Sequence, residues 1–488
     1  MQLVKTEEKF FEKELSQQAE KRKAAVEFIK IVNDLWFDKS IELLLFRNQL
    51  MDINVSEVLN LQEYARKFVN KPINIHNTLS IAKEIAKLNL HPSRIDIGKL
   101  AYEHALEEDK YETCAHFVMD KLVDILKQKK SPISPKDVVL YGFGRIGRLL
   151  ARELMLHAGR GEQLRLRAIV TRGVIDEKNL EKRAALLRND SVHGHFPGTV
   201  VTDIDKKALI IDGTTVFMIS ADNPDKVDYT KYGINDALVI DNSGAFRNKS
   251  ALGRHLKSKG AAKVLLTAPA KGVPNIVYGV NHEEFNNKEN DIWSAASCTT
   301  NAISPVLKVI EDNLGVEKGH VETIHSYTND QNLVDNMHGK YRRGRAAAVN
   351  MVITETGAGK AVSKAIPSLE GKLTSNAIRV PVPNGSLAIL NLNISKETNI
   401  EDLNNLVKKY SLDGKLVEQI KFSLNNELVS SDIIGAPTPA IFDSPATIVS
   451  EDGKNIVLYV WYDNEYGYSR QVIRLAKYVA NVRRYRYY

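Results

Sequence analysis

The chain has few cysteines, with only Cys114 and Cys298 among its 488 residues. Two cysteines cannot form the disulfide framework of a small secreted protein, so a reducing compartment, the cytoplasm, is expected. No apolar run is long enough to cross a bilayer, and the charged N-terminus lacks the apolar core of a signal peptide. No spacing typical of metal ligands is found. The sequence therefore predicts a cytoplasmic protein with no membrane partner and no metal.

The charge imbalance is also small, since the formal net charge is +7 in a chain that is 26% charged. This balance is compatible with anionic substrates or cofactors and does not require nucleic acid as a partner. The basic and aromatic segment 483–488 could contact RNA, but an exposed, frayed terminus is the preferred interpretation. The length predicts two or three domains.

Residues 1–134 are predicted to form an all-α region. Between Val26 and Trp36 the apolar residues recur at helical spacing and give one stripe. Four more segments show the same pattern: Ile41–Leu50, Val55–Phe68, Leu79–Leu88 and Tyr111–Leu126. A packing or oligomerisation module is the default interpretation, and a regulatory binding module is the alternative.

A glycine-rich turn follows a polar, proline-containing linker at 127–136. The strand-like run Val138–Tyr141 is followed by Gly142, Gly144 and Gly147, and then by a helical segment. Strand, G-x-G-x-x-G and helix together form the dinucleotide-binding fingerprint, in which the helix N-terminus holds the pyrophosphate. A dinucleotide-binding domain is therefore predicted over 135–297.

The next predicted strand ends in Thr171 and Arg172, where a carboxylate that binds the adenosine ribose is usual for NAD. Because an arginine attracts a 2′-phosphate, the sequence slightly favours NADP or dual use. The alternative is that Arg172 simply points to water. The segment Asp241–Gly244 ends another strand, at the edge where an open α/β sheet binds ligands.

The stretch Ser294–Asn301 places Cys298 before Pro305 and an apolar run that together predict a helix. A thiol at a helix N-terminus is expected to favour the thiolate, which is the nucleophile. Taken alone, a buried cysteine that acts as a small hydrophobe is the simpler interpretation. His325, 27 residues downstream on a strand-like segment, and the glycine turn upstream favour catalysis instead.

Seven motifs occur in one order along the chain, and together they resemble phosphorylating glyceraldehyde-3-phosphate dehydrogenase from about Lys136 to Val482. The motifs are Gly-Phe-Gly-Arg-Ile-Gly-Arg at 142–148, Ser-Cys-Thr-Thr-Asn at 297–301, the segment 325–331, Arg-Arg-Gly-Arg-Ala-Ala-Ala at 342–348, Thr-Gly-Ala-Gly-Lys-Ala-Val at 356–362, Arg-Val-Pro at 379–381 and Trp-Tyr-Asp-Asn-Glu-Tyr-Gly-Tyr-Ser at 461–469. Residues 1 to about 130 have no counterpart in the usual form of the family. The resemblance implies a Rossmann-type domain at 135–297, completed by a C-terminal helix at 465–488, and a mixed-sheet α+β catalytic domain at 298–464.

The resemblance also implies a role for each site residue. Cys298 would form a thiohemiacetal and then a thioacyl enzyme, and His325 would be general base and acid. Thr328 and Arg379 would hold the substrate phosphate. Inorganic phosphate would be held by Ser297, Thr299, Thr356, Gly357 and Arg345. The dinucleotide would meet Gly142, Gly144, Gly147, Arg145 and Ile146 at the pyrophosphate, Thr171 and Arg172 at the adenosine ribose, Ser243 near the nicotinamide ribose and Asn464 at the nicotinamide amide.

The implied reaction converts glyceraldehyde 3-phosphate, phosphate and NAD(P)+ into 1,3-bisphosphoglycerate in glycolysis or gluconeogenesis, on a homotetramer. Erythrose-4-phosphate oxidation is the close alternative, and a nucleotide-sensing or RNA-binding protein without activity is the alternative of another class. Taken singly, His325 could be a strand histidine, Arg345 a solvated loop charge and Thr356 a helix cap. Ala302, Tyr141, Ala295, Asp222, Asn336 and Met337 depart from the family's usual residues and leave the cofactor preference open.

Overall fold

The structure is a computed structural model, which describes residues 2–128 and 133–488, with side chains from Phe10 onward. The predicted linker at 127–136 falls partly on residues 129–132, which lie outside the described residues. The chain divides into two compact units, Met1–Ile133 with Arg483–Tyr488, and Ser134–Val482.

The N-terminal unit is mainly helical and contains one small sheet. Its elements are α1 (Gln2–Lys39), β1 (Ile41–Leu45), β2 (Asn48–Gln49), α2 (Val55–Val69), α3 (Ile75–Lys87), β3 (Ser93–Asp96), α4 (Ile97–Leu106), α5 (Cys114–Lys121), α6 (Val123–Leu126) and β22 (Tyr485–Tyr487). Asn54 caps α2 in a capping box with Glu57, which satisfies backbone N–H groups that the helix leaves unpaired. The predicted stripe on α1 is buried at Phe28, Val32 and Trp36.

Two predictions for this unit are wrong in detail. Ile41–Leu50 was predicted as a helix, but the structure has β1 and β2 there. All five residues of β1 are buried, and a fully buried strand has the same continuous apolar pattern as a buried helix segment. The segment 483–488 is not a frayed terminus, because Tyr485–Tyr487 pairs in parallel with Ser93–Ile95. The sheet order is β2-β1-β3-β22.

The first part of the second unit is an eight-stranded sheet with the order β13-β12-β11-β4-β5-β10-β9-β8. Its elements, with a two-stranded hairpin, are β4 (Lys136–Tyr141), α7 (Arg145–Leu156), β5 (Leu164–Thr171), α8 (Glu177–Arg188), β6 (Asn189–Asp190), β7 (Gly194–His195), β8 (Val200–Asp203), β9 (Ala208–Ile211), β10 (Thr214–Ser220), β11 (Ala237–Asp241), α9 (Lys249–Leu252), β12 (Ala261–Leu266) and β13 (Ile292–Ser294). Its six parallel strands follow the doubly wound order in which ligands bind where the strand order reverses, here between β4 and β11.

The second part is a mixed sheet with the order β15-β16-β14-β17-β21-β19-β18, and β20 pairs with β21. Its elements are α10 (Cys298–Leu314), β14 (Val316–Ser326), β15 (Val352–Glu355), α11 (Ala358–Ala365), β16 (Leu373–Val380), β17 (Ser386–Ile394), α12 (Ile400–Leu412), β18 (Ile420–Ser423), β19 (Ala440–Asp443), β20 (Ile448–Val449), β21 (Asn455–Tyr462) and α13 (Tyr466–Val479). Its sheet holds the strand that delivers His325, and α10 carries the cysteine.

The helix predicted over 465–488 is shorter, because α13 ends at Val479. It packs against α7, where Arg470 forms a buried ion pair with Glu153. The residues after Val482 belong to the N-terminal unit. The sequence signal for this boundary was the change from an apolar helical stripe to alternating arginine and tyrosine.

Candidate active site

Cys298 is the first residue of α10, seven residues before the predicted helix start at Pro305. The preceding residue, Ser297, is the N-cap, and its hydroxyl accepts a hydrogen bond of 3.1 Å from the backbone N–H of Thr300. The thiol therefore lies beside the unpaired N–H groups at the first turn of a 17-residue helix. Pro305 is accommodated inside the helix and does not begin it.

The turn before the cysteine is held in an unusual backbone conformation. Ala296 has a φ of 54°, which is left-handed and costly for a residue with a Cβ. The hydroxyl of Tyr468 donates a 2.9 Å hydrogen bond to the Ala296 carbonyl, and the Asn301 amide donates to that of Ala295 at 2.8 Å. Tyr468 was not among the predicted site residues, although it lies in the motif at 461–469.

His325, near the end of β14, faces the thiol. Its Nε2 lies 3.6 Å from the sulfur of Cys298, and its Nδ1 lies 2.7 Å from the carbonyl oxygen of Ser326. The Ser326 carbonyl can only accept, so this contact calls for a proton on Nδ1, whereas the Arg379 guanidinium beside the same nitrogen can only donate. In the tautomer that carries the proton on Nδ1, the Nε2 lone pair is directed at the thiol. The imidazole is therefore arranged to take a proton from sulfur.

Arg379 on β16 is the cation nearest this pair, since its strand position is directly opposite His325. Its Nη1 donates to the Ser326 carbonyl at 2.8 Å and lies 3.0 Å from Nδ1 of His325. Burial, and then the charge of Arg379, lowers the pKa of His325 to about 3. The imidazole is consequently neutral across the physiological pH range.

The sequence predicts that Cys298 favours the thiolate form, but its surroundings in the structure favour the neutral thiol. Burial raises the pKa of Cys298 above its usual value, and this effect exceeds the opposing influence of the Arg379 charge and the Thr299 hydrogen bonds. Desolvation penalises the charged form of an isolated thiol. The structure thus joins a neutral thiol to a neutral base, and a proton has to move as the sulfur attacks.

The residues predicted to hold phosphate differ in their surroundings. Thr328 lies three residues beyond His325 and is partly exposed, whereas the Thr299 hydroxyl is buried at 3.1 Å from that of Tyr462. The Thr356 hydroxyl accepts from the backbone N–H of Ala358 at 3.3 Å, but Thr356 is not the helix cap, because Gly357 is the N-cap of α11. Thr356 and Gly357 line a cleft of about 820 Å³.

The arginine predicted for inorganic phosphate lies apart from the catalytic pair. Arg345 is largely exposed and pairs with Asp335 at 2.8 Å. Arg343, two residues earlier, is mostly buried, bonds Asp330 and Thr354, and its charge lowers the pKa of both His325 and Arg379. The motif contains three arginines, and sequence spacing alone could not show which one turns inward.

The glycine turn has the geometry that a dinucleotide needs. Gly142 has a φ of +104°, and a Cβ there would lie 2.9 Å from the backbone nitrogen of Ser243. A Cβ on Gly147 would collide with the Gly142 carbonyl, whereas Gly144 faces open space. The turn thus brings the ends of β4 and β11 together and exposes the N-terminus of α7, as binding a pyrophosphate requires.

The other residues predicted at the cofactor are placed less uniformly. The guanidinium of Arg145 pairs with Asp190 at 3.1 Å and with Glu465, so only the backbone of Arg145 and Ile146 is left to line the turn. Thr171 is buried at the end of β5, and Arg172 is exposed. Both lie at the C-terminal end of β5, which pairs with β4, the strand that precedes the glycine turn.

Asn464 joins the dinucleotide region to the catalytic pair. Its Oδ1 accepts hydrogen bonds from the hydroxyls of Ser326 and Ser386 at 2.9 and 2.8 Å. These two donors fix the amide, so its NH₂ group is available to a ligand. Ser243 is exposed at the end of β11, and its hydroxyl donates to Asp241 at 2.7 Å.

The described ranges, 2–128 and 133–488, contain no cluster of three or more His, Cys, Asp or Glu residues that could hold a metal ion. Within the same ranges, no helix combines the length and apolar character needed to span a membrane.

Two family models match the second unit. The model for the NAD-binding domain of glyceraldehyde 3-phosphate dehydrogenase covers residues 136–249, and that for its C-terminal domain covers 297–464. The chain belongs to the glyceraldehyde-3-phosphate dehydrogenase family. The predicted fold, a Rossmann-type NAD-binding domain and a catalytic domain preceded by a mainly helical region, is confirmed.

The share of this chain that similar proteins cover differs among them, and the difference lies mainly in the N-terminal extension. A glyceraldehyde-3-phosphate dehydrogenase of Streptomyces coelicolor is 38% identical over 70% of this chain and 98% of its own length. One of Priestia megaterium is 38% identical over 70% of this chain and 96% of its own length. A glyceraldehyde-3-phosphate dehydrogenase-like protein of Pseudomonas aeruginosa is 45% identical over 93% of this chain and 98% of its own length, so most of the extension has a counterpart there.

Proposed function

We propose that this protein is a phosphorylating glyceraldehyde-3-phosphate dehydrogenase that converts glyceraldehyde 3-phosphate, inorganic phosphate and NAD(P)+ into 1,3-bisphosphoglycerate and NAD(P)H. The observation that carries the proposal is the 3.6 Å contact between the Cys298 sulfur and the His325 Nε2 lone pair, next to a cationic Arg379. A thiol, a base and an anion-binding group in one place are what the oxidation of a phosphorylated aldehyde requires.

The first step follows from the protonation states. As the Cys298 sulfur bonds to the aldehyde carbon, the thiol proton passes to Nε2 of His325, which then protonates the carbonyl oxygen to give a thiohemiacetal. The low pKa of His325 makes its imidazolium a strong acid, which favours donation of this proton to the carbonyl oxygen. When bound, the nicotinamide dinucleotide would supply the hydride acceptor. His325 would take back the hydroxyl proton of the thiohemiacetal as the hydride leaves, and Cys298 would remain as a thioacyl ester.

The second step needs two anions side by side. Arg379, with Thr328, is proposed to hold the substrate phosphate, and Ser297, Thr299, Thr356 and Gly357 the attacking one. Arg343 is added to this second group in preference to Arg345, because its side chain is mostly buried and its charge acts on His325 and Arg379. Phosphate oxygen then attacks the thioester carbon, and His325 returns a proton to the departing sulfur.

The residues of the cofactor domain fit a nicotinamide dinucleotide. The glycine turn and the N-terminus of α7 suit the pyrophosphate, and Asn464 has an amide free to orient the nicotinamide. An NAD-binding domain is matched by the family model. We propose use of NAD or NADP, with NADP or dual use slightly favoured, because exposed Arg172 replaces the carboxylate that would repel a 2′-phosphate.

A homotetramer is proposed in the cytoplasm, as the family likeness and the cysteine content suggest. The loop from 333 to 353 supports self-association, because it exposes seven large apolar side chains: Leu333, Val334, Met337, Tyr341, Val349, Met351 and Ile353. Exposed large apolar side chains that are concentrated on one segment are typical of association surfaces in soluble proteins.

The test is an initial-rate assay of NAD(P)H formation, followed by absorbance. Turnover should depend on glyceraldehyde 3-phosphate and on added phosphate or arsenate, and kcat/KM for erythrose 4-phosphate should be lower. Cys298→Ala should lose at least about 10⁴-fold in kcat, because it removes the nucleophile. Cys114→Ala is the matched control and should retain full activity. Sustained turnover without either anion, or an active Cys298→Ala variant, would contradict the proposal.

A further inference from the structure

The last strand of the N-terminal unit comes from a remote part of the chain. Tyr485–Tyr487 pairs in parallel with Ser93–Ile95, and β1 covers the other side of β3. Without β22 the edge of β3 would offer unpaired backbone groups, which are a template for strand addition. Along the sequence, the segment is separated from the rest of this unit by the whole second unit, Ser134–Val482.

One face of the segment is held by an aromatic and acidic slot. The guanidinium of Arg484 lies 4.3 Å over the ring of Trp36 and 3.9 Å from Glu42, whose side chain is 3% exposed. Arg484 itself is buried. Stacking of an arginine on tryptophan beside a buried carboxylate is a specific combination, since a lysine could not reproduce the planar contact.

The other face is held by α4. The Tyr487 hydroxyl donates to the carboxylate of Glu103, and the Lys99 ammonium lies 5.9 Å from the Tyr487 ring. Lys99 also donates to the backbone carbonyl of Tyr488, whose hydroxyl accepts from Arg94 at 2.9 Å. Alternate side chains thus enter opposite faces of the unit.

We propose that the N-terminal unit carries a strand-addition site for an extended arginine- and tyrosine-containing peptide, and that segment 483–488 of this chain is its ligand. Backbone pairing with β3 supplies affinity, and the side chains of Arg484 and Tyr487, which contact Trp36 with Glu42 and Glu103 respectively, supply specificity. The site gives the extension the character of a peptide-binding module and is independent of the dehydrogenase chemistry.

The test uses the full chain ending at Val482 and a fluorescent peptide Arg-Arg-Tyr-Arg-Tyr-Tyr, with binding followed by anisotropy. The truncated chain should bind it saturably, at least about tenfold more tightly than the reversed peptide of identical composition. The intact chain should bind at least about tenfold more weakly than the truncated one, because its own segment occupies the site.

Two further measurements keep the outcome decisive. In the truncated chain, Glu103→Ala should weaken peptide binding, whereas the exposed neighbour Glu108→Ala should not. If truncation unfolds the extension, added peptide should restore its helical circular dichroism. Equal binding of both peptides, equal binding by intact and truncated chains, or an unfolded extension that the peptide does not rescue would overturn the proposal.

Discussion

Arginines near the catalytic cysteine and arginines in the N-terminal unit are treated in opposite ways. In the N-terminal unit, Arg47 pairs with Asp96 at 3.3 Å and Arg94 with Glu42 at 3.0 Å, and both carboxylates are buried. Arg379 instead donates to the Ser326 carbonyl and lies 3.0 Å from Nδ1 of His325, and in the described part of the chain it forms no ion pair within 4 Å, although the Asp330 carboxylate acts on it from farther away. A partly buried charge with no carboxylate in contact is costly, which supports the proposed anionic ligand at Arg379.

The presence or absence of a carboxylate partner distinguishes an arginine that stabilises the fold from one that is kept for a ligand. Paired arginines stabilise the unit that holds them, and their removal should reduce stability without changing chemistry. Removal of an arginine that has no carboxylate in contact should do the reverse if its charge serves the substrate, as proposed for Arg379. Four contrasts between variants test this distinction, in decreasing order of expected effect.

The largest contrast is expected between Arg379→Ala and Asp96→Ala. Arg379→Ala should lower kcat/KM for glyceraldehyde 3-phosphate by about 100-fold, since it removes the charged hydrogen-bond donor proposed for the substrate phosphate. Asp96→Ala should leave kcat/KM unchanged but destabilise the protein by about 3 kcal/mol, because Arg47 loses its buried partner. Initial rates and calorimetric unfolding measure both quantities. If both variants lost kcat/KM to a similar extent, the presence or absence of a carboxylate partner would not distinguish a structural arginine from a functional one.

The second contrast concerns the effect of Arg379 on the thiol. In a Cys114→Ala background, the rate of iodoacetamide inactivation should rise about tenfold per pH unit between pH 6 and 8, as the thiolate fraction grows. Burial holds the pKa of Cys298 above its ordinary value and that of His325 near 3, so no inflection is expected around pH 6.5.

Arg379→Ala should slow alkylation of Cys298 further, because the charge of Arg379 opposes the rise in the pKa of the thiol. Arg345→Ala is the matched control, since its exposed side chain pairs with Asp335. Rapid alkylation at pH 6, with a second inflection, would instead indicate a thiolate–imidazolium pair.

Much of this site could be predicted from the sequence. Gly142, Gly147, Cys298 and His325 lie in local sequence patterns, and the resemblance to one family assigns these patterns to a single site. What could not be predicted depends on long-range contacts. The protonation state of Cys298 depends on burial by distant strands, and sequence reasoning from the helix N-terminus alone gave the opposite preference.

Dependence on long-range contacts also explains why two predictions for the N-terminal unit were wrong. Ile41–Leu45 is a strand because it is buried on both faces between β2 and β3, which local periodicity cannot reveal. Segment 483–488 pairs with residues almost 400 positions earlier, and only the folded chain brings them together.

The third test compares Arg343 and Arg345, which are both ion-paired but differ in burial. Arg343→Ala should raise KM for inorganic phosphate by about tenfold, the scale of one lost charged contact. Arg345→Ala should change it little, because an exposed ion pair contributes little and its charge is screened. The assay varies phosphate at saturating aldehyde. A larger effect from Arg345→Ala would restore the assignment that the sequence suggested.

The smallest effect is expected at Arg172, an exposed arginine that makes no ion pair within the described ranges. If it attracts a 2′-phosphate, Arg172→Ala should raise KM for NADP by about threefold and leave KM for NAD nearly unchanged, because an exposed charge pair contributes less than about 1 kcal/mol. Arg165→Ala, at the opposite end of the same strand, is the matched control. Equal changes for both cofactors would mean that an unpaired arginine at the surface, unlike Arg379, needs no ligand because water solvates it.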